Sequence, residues 1–295
     1  MQVELRELRQ GFENAGFVIN EDDLNVIYLS LRLEKPLLVS GPPGVGKTDL
    51  AKVLSRIFDA RLIRLQCHEG LDESKALYDW NFQRQLVKIH LAARSESVRE
   101  DDLFTLPNIL QRPLLQAITA TEPVVLLIDE IDRSDPDFEA FLLEVLSDFQ
   151  VSVPEIGTIK AVRKPIVIIT NNGERELSEA LRRRCVFLFL NFPTIEQEAT
   201  IIRIKNPGVL DNLREEIALA VARTRDAGYH PAPGAETGMD WARALFLLDA
   251  DRYQKNYVDK TLDKLAENKE NLLSFQELLR NNSGTAAVKQ EKGPE

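Results

Sequence analysis

The chain has 295 residues, 44% of them hydrophobic, enough for one large core or about two domains, and it carries a formal net charge of −10. That acidic balance opposes bulk attraction to nucleic acid and to anionic lipid. No apolar run approaches the roughly 20 residues of a bilayer-spanning helix. The first ten residues lack the apolar core of a signal peptide, and Cys67 and Cys185 form no C-x-x-C pair. A cytoplasmic protein is expected, with no membrane insertion, disulfide framework or zinc site.

In chain order, the first short apolar run, Leu37 to Val39, reads as a buried strand and leads into GPPGVGKT at 41–48. This satisfies the phosphate-loop pattern G-x-x-x-x-G-K-[ST]. Glycines there reach φ > 0 and turn backbone N–H groups toward a phosphate. Lys47 supplies charge for the outer phosphates, and Thr48 is placed to ligate Mg²⁺ at the start of a helix whose dipole favours the same anion. Gly41, Pro42, Pro43, Gly44, Val45, Gly46, Lys47, Thr48 and Asp49 are therefore expected to hold ATP. Leu50, Val53, Leu54, Ile57 and Phe58 recur at helical spacing just after the loop.

A second run, Leu62 to Leu65, is followed by an insertion over about 71–94 in which Tyr78, Trp80 and Phe82 alternate. These aromatics either grip a substrate or pack against their own base. The third run, Val124 to Ile128, ends in Asp129 and Glu130. Beside a phosphate loop, the first acid suits the Mg²⁺ water shell and the second suits polarising an attacking water. Asp132 and Asp135 fit helix capping better. Alternation between Phe149 and Pro165 predicts a projecting β-hairpin.

The fourth run, Ile166 to Ile169, precedes Thr170-Asn171-Asn172-Gly173, where an amide could contact both γ-phosphate and water, or where Asn-Gly simply makes a turn. ELSEALRRRC then ends a helix in Arg182, Arg183 and Arg184, ahead of a fifth run, Val186 to Leu190. Three arginines suit the phosphates of a neighbouring subunit, or they make a solvated helix end. From Thr194 onward the pattern is helical: Thr194 to Lys205, Val209 to Ala227, Gly238 to Ala250 and Asp263 to Arg280. Arg243, between Trp241 and Leu245, either reaches back to the phosphates or lies along Trp241. His68, His90 and His230 are isolated and lack metal-ligand spacing. The fold class is thus α/β: a parallel-sheet domain over 1–193, an all-helical domain over 194–280, and a polar tail, 281–295, expected to be disordered.

In this order GPPGVGKT, LLIDEID, ITNN, SEALRRRC and DWARAL resemble the AAA+ ATPases and, within them, the MoxR family, the stretch from Asp129 to Pro193 looking most like the branch described as CoxD-like, of carbon monoxide dehydrogenase accessory ATPases. The resemblance implies a P-loop core with a five-stranded sheet of order 5-1-4-3-2 and a helical lid. It also implies a homo-oligomeric ring, usually hexameric, with ATP and Mg²⁺ at subunit interfaces. It marks Asn172 as sensor 1, with Asn171 the alternative, Arg184 as the finger with Arg183 a second contact, and Arg243 as sensor 2. The two protrusions correspond to the family's helix-2 insert and pre-sensor-1 hairpin. Partners implied are a von Willebrand factor A domain protein and a protein client, in metalloenzyme maturation or complex assembly. A nucleotide-switched binding module is the competing reading; a nucleic-acid motor is disfavoured by the acidic balance, and no GAFTGA loop is present.

Overall fold

In the computed structural model, which describes residues 3–92, 104–154, 156–209, 211–226 and 234–247, the five apolar runs lie side by side as one parallel sheet. Two helices, α1 (Leu5–Asn14) and α2 (Glu21–Leu33), precede it. The side chain of Asn20 caps α2 by accepting from the Asp23 amide at 2.7 Å, and three acids occupy the first turn, where the helix dipole favours them. The sheet strands are β1 (Leu37–Ser40), β2 (Arg61–Gln66), β5 (Val124–Asp129), β8 (Ile166–Asn171) and β9 (Val186–Phe189).

Four more strands lie outside this sheet, three of them within the two expected protrusions and one, at 109–111, beyond the first of them. β3 (Tyr78–Trp80) pairs antiparallel with β4 (Ile109–Gln111), and β6 (Gln150–Val153) with β7 (Gly157–Lys160). Counted through all nine, the order is β2-β5-β8-β1-β9, which differs from the expected number string because β3, β4, β6 and β7 lie outside the main sheet. The five core strands taken alone run, from the β9 edge, fifth, first, fourth, third, second.

All six residues of β5 are buried, as a strand covered on both faces requires. On one face Leu38, Leu126, Ile128, Val167 and Ile169 join the core formed with α6 (Pro113–Thr119) and α7 (Pro136–Asp148). α3 (Lys47–Ile57) buries Leu50, Val53 and Leu54, a stripe at helical spacing. The first insertion also holds α4 (Glu73–Ala76) and α5 (Phe82–Ala92). Tyr78 and Trp80 pack against the core and meet edge to face at 6.0 Å, whereas Phe82 is exposed. The pairing of β3 with β4 was not expected from the sequence. α8 (Glu179–Arg184) leads into β9.

The chain divides into two compact units, Met1–Pro42 with Gly46–Leu190, and Pro43–Val45 with Asn191–Glu295. The second unit contains α9 (Ile195–Lys205), α10 (Asp211–Asp226) and α11 (Ala235–Leu247). α9 opens on a capping box between Thr194 and Gln197. The helix expected over 263–280 and the tail expected over 281–295 lie outside the described residues. Among the described residues no helix is long and apolar enough to cross a membrane.

Inside the helical unit Glu198 and Arg225 form a buried bidentate pair, at 2.6 and 3.1 Å, with the guanidinium 4.6 Å over the Phe192 ring. Burial raises the Glu198 carboxyl above the usual range, while the hydrogen bonds and charge of Arg225 pull it back. Removing one member strands a desolvated charge. Glu198→Ala is expected to destabilise this unit by about 3–5 kcal/mol, seen as a lower urea midpoint by far-UV circular dichroism.

Candidate active site

Parallel strands bring their C-terminal ends to one edge, and the register places Gln66 opposite Asp129 and Ser40 opposite Asn171. The phosphate loop follows β1 at this edge. Gly41 has φ 148°, and a Cβ there would come within 2.2 Å of the Leu190 carbonyl oxygen. Gly46, at φ 93°, caps α3 from the left-handed region. Only glycine fits both positions without strain. The loop's crown, Pro43–Val45, groups with the second unit.

Lys47 is buried, and its Nζ donates to the carbonyls of Gly41 at 2.6 Å and Pro42 at 2.8 Å. Burial lowers its pKa, and the carboxylates of Asp132, Asp129 and Glu130 oppose the shift. Thr48 Oγ1 donates to Asp129 Oδ1 at 3.2 Å. A hydroxyl and a carboxylate are hard oxygen donors, a pair that fits Mg²⁺ beside a phosphate-binding loop. Asp49 pairs with Lys52 on the surface of α3 at 2.7 Å.

Asp129 is almost fully buried, and its charge is intensely solvated by the protein. Thr170 Oγ1 donates to Oδ1 at 2.6 Å and in turn accepts from the Glu130 amide at 2.8 Å. One hydroxyl thus ties the end of β5 to β8. Arg64, on β2, donates to Asp129 Oδ2 from Nε at 2.9 Å and from Nη2 at 2.6 Å.

Glu130 also has both oxygens engaged. Gln66 Nε2 donates to Oε2 at 2.8 Å, Arg133 Nη1 lies 2.9 Å from the same atom, and Asn172 Nδ2 reaches Oε1 at 3.4 Å. Its backbone sits at φ 57°, ψ 53°, at the head of the 3-10 turn Ile131–Arg133. Of the two asparagines, Asn172 is therefore the one beside Glu130. Asn171 reaches Ser40 Oγ at 3.5 Å and accepts from the Gly173 amide at 2.8 Å, the local geometry of an Asx turn.

Asp132 requires a correction. It caps no helix: it is buried, and its Oδ2 accepts from the amides of Asn172 at 3.1 Å and Glu174 at 3.0 Å. It holds the loop after β8 against the end of β5. Asp135 occupies the N-cap position of α7 without a side-chain cap bond, and its Oδ2 accepts instead from the Gly70 amide at 3.3 Å. Arg175 secures the same loop, pairing with the buried Glu139 and donating to the Ser134 carbonyl at 2.7 Å.

Lys47, Thr48, Asp129, Glu130 and Asn172 are thus brought together within the first unit. Arg183 pairs with Glu179 at 2.5 Å, and Arg184 Nη1 donates to the Leu143 carbonyl at 3.0 Å, both exposed at the end of α8. Arg243 is exposed on α11 of the second unit. Arg64, Gln66, Asp132, Arg133 and Thr170 are the site residues that sequence reasoning missed. A weak signal existed for two of them: in RLIRLQ the polar Arg64 and Gln66 stand two apart, on one face of a strand.

The family model for the AAA domain, dynein-related subfamily, matches residues 36–185. A Lon protease of Cytophaga hutchinsonii is 26% identical over 237 residues, which is 78% of this chain and 26% of that protein. An uncharacterized protein of Staphylococcus aureus is 31% identical over 167 residues, 54% of this chain and 57% of that protein. The chain spans less than two thirds of the length of either relative. Among solved structures, the Thermotoga maritima RuvB Holliday junction branch migration motor superposes with a TM-score of 0.52 at 20% identity, covering 86% of this chain and 72% of that one, a likeness of fold. The matched segment is just over half of the sequence and holds the whole carboxylate cluster with its phosphate loop, and the chain belongs to the AAA domain family, dynein-related subfamily.

Proposed function

We propose that this protein is a Mg²⁺-dependent ATPase that works as a ring, usually hexameric in such proteins, with the nucleotide on the loop 41–49. The supporting observation is the convergence of Thr48, Asp129, Glu130 and Asn172 at the strand ends beside the buried ammonium of Lys47. Bound Mg²⁺ supplies charge neutralisation at the phosphates; Thr48 and Asp129 would hold it. Lys47 stabilises the outer phosphates, Glu130 accepts a proton from the attacking water, and Asn172, beside Glu130, orients that water. Arg184, with Arg183 beside it, serves a neighbouring subunit's nucleotide, and Arg243 belongs to a helical lid that responds to it. The biological reading is of MoxR type: a chaperone-like remodeler in metalloenzyme maturation or complex assembly, working with a von Willebrand factor A domain partner on a protein client.

Lys47→Ala tests the core of this reading. The variant should lose about 100-fold or more in ATP affinity, since a buried charge-assisted contact to phosphate is removed. Equilibrium titration with a fluorescent ATP analogue reads it directly, and undiminished affinity would sink the proposal. A second reading, a nucleotide-switched binding module, is favoured by one observation: both oxygens of Glu130 are already engaged. Steady-state hydrolysis measured with and without the partner separates the two.

A further inference from the structure

Asp129 has no spare lone pair. Its Oδ1 accepts from Thr170 and Thr48, and its Oδ2 accepts twice from Arg64. The first pair are neutral hydroxyls, compatible with a cation on the carboxylate. Arg64 differs, because a guanidinium brings a full positive charge to the oxygen that a divalent cation needs. A buried carboxylate of 3% side-chain exposure is here neutralised by an arginine that is itself 53% exposed. The arginine can swing into water at small cost, whereas Asp129 cannot leave.

Arg64 is also fixed from a second side. Its Nη2 donates to Gln66 Oε1, which orients the Gln66 amide so that Nε2 faces Glu130. One guanidinium therefore holds the cation-binding carboxylate directly and the water-activating carboxylate through Gln66. We propose that Arg64 is a positioning residue that competes with the divalent cation for Asp129, so that loading of the site requires Arg64 to let go. This rests on the reading that Asp129 binds the Mg²⁺ of Mg-ATP. On release, Gln66 loses the partner that orients it, so Arg64 links occupation of Asp129 to the freedom of Glu130.

The test is a Mg²⁺ titration of fluorescent ATP-analogue binding to the full chain, compared among the unaltered protein, Arg64→Gln and Arg64→Lys. Arg64→Gln should bring the Mg²⁺ midpoint down about threefold to tenfold, because the competing charge is gone. Arg64→Lys keeps a charge but loses the two-nitrogen grip, so its midpoint should fall between the others; it also serves if Arg64→Gln does not fold. In an Asp129→Asn background the Arg64→Gln shift should vanish, a result that a purely structural arginine would not produce. An unchanged or higher midpoint in both Arg64 variants overturns the competition. If the unaltered protein binds the analogue with no dependence on Mg²⁺, the assignment of Asp129 itself fails, and the competition falls with it.

Discussion

Glu130→Gln should lower steady-state ATP hydrolysis by about 10²- to 10⁴-fold while ATP affinity stays close to that of the unaltered protein. The change replaces one oxygen by an amide nitrogen of the same size, so the side chain still fills its place beside Gln66 and Asn172. What it loses is the negative charge proposed to polarise water. The ion pair to Arg133 also goes, but that arginine is half exposed, so the pair adds little to folding. Phosphate release measured against analogue binding separates the two effects. Turnover at the parental rate would remove Glu130 from the mechanism.

Arg184→Ala should cost about 10³- to 10⁵-fold in turnover if this arginine stabilises the transferring phosphate across a subunit boundary. Folding should tolerate it, since the exposed guanidinium gives up one bond to the Leu143 carbonyl. Neither Arg183 nor Arg184 hydrogen-bonds Asp129 or Glu130 of its own chain among the described residues, as a residue serving a neighbour's site requires. Mixed with Glu130→Gln subunits, Arg184→Ala should recover part of the lost activity, because one interface then pairs an intact Glu130 with an intact Arg184. Subunit exchange, followed by mass photometry, is the control. Normal hydrolysis by Arg184→Ala with loss in Arg183→Ala would move the role by one residue; normal hydrolysis by both would leave the three arginines a solvated helix end.

The phosphate loop and the acid pair were legible because their chemistry is local. GPPGVGKT needs only its own backbone to be recognised, and Asp129 and Glu130 end an apolar strand. The five core strands were legible for a similar reason, since strands covered on both faces read as continuous apolar runs. What the sequence hid is cross-chain. Gln66 reaches Glu130 only because β2 and β5 pair in a register that sets Gln66 opposite Asp129. Asp132 looked like a cap because Ser, Thr, Asp and Asn all suit caps; only folding brings the amides of Asn172 and Glu174 to it, forty residues away. The alternation of Tyr78, Trp80 and Phe82 was visible, but β3 and β4, three residues each, are too short for the sequence to show that they pair.

The left-handed backbone of Glu130 has a cost that its side chain cannot recover locally. A non-glycine residue at φ 57° is disfavoured by about 1 kcal/mol or more, and glutamate has none of the short-side-chain compensation that asparagine or aspartate finds there. Position 130 is thus one where foldability and chemistry ask for different amino acids. Selection for thermal robustness alone would drift it toward glycine or asparagine, whereas the chemistry proposed for this position needs the carboxylate.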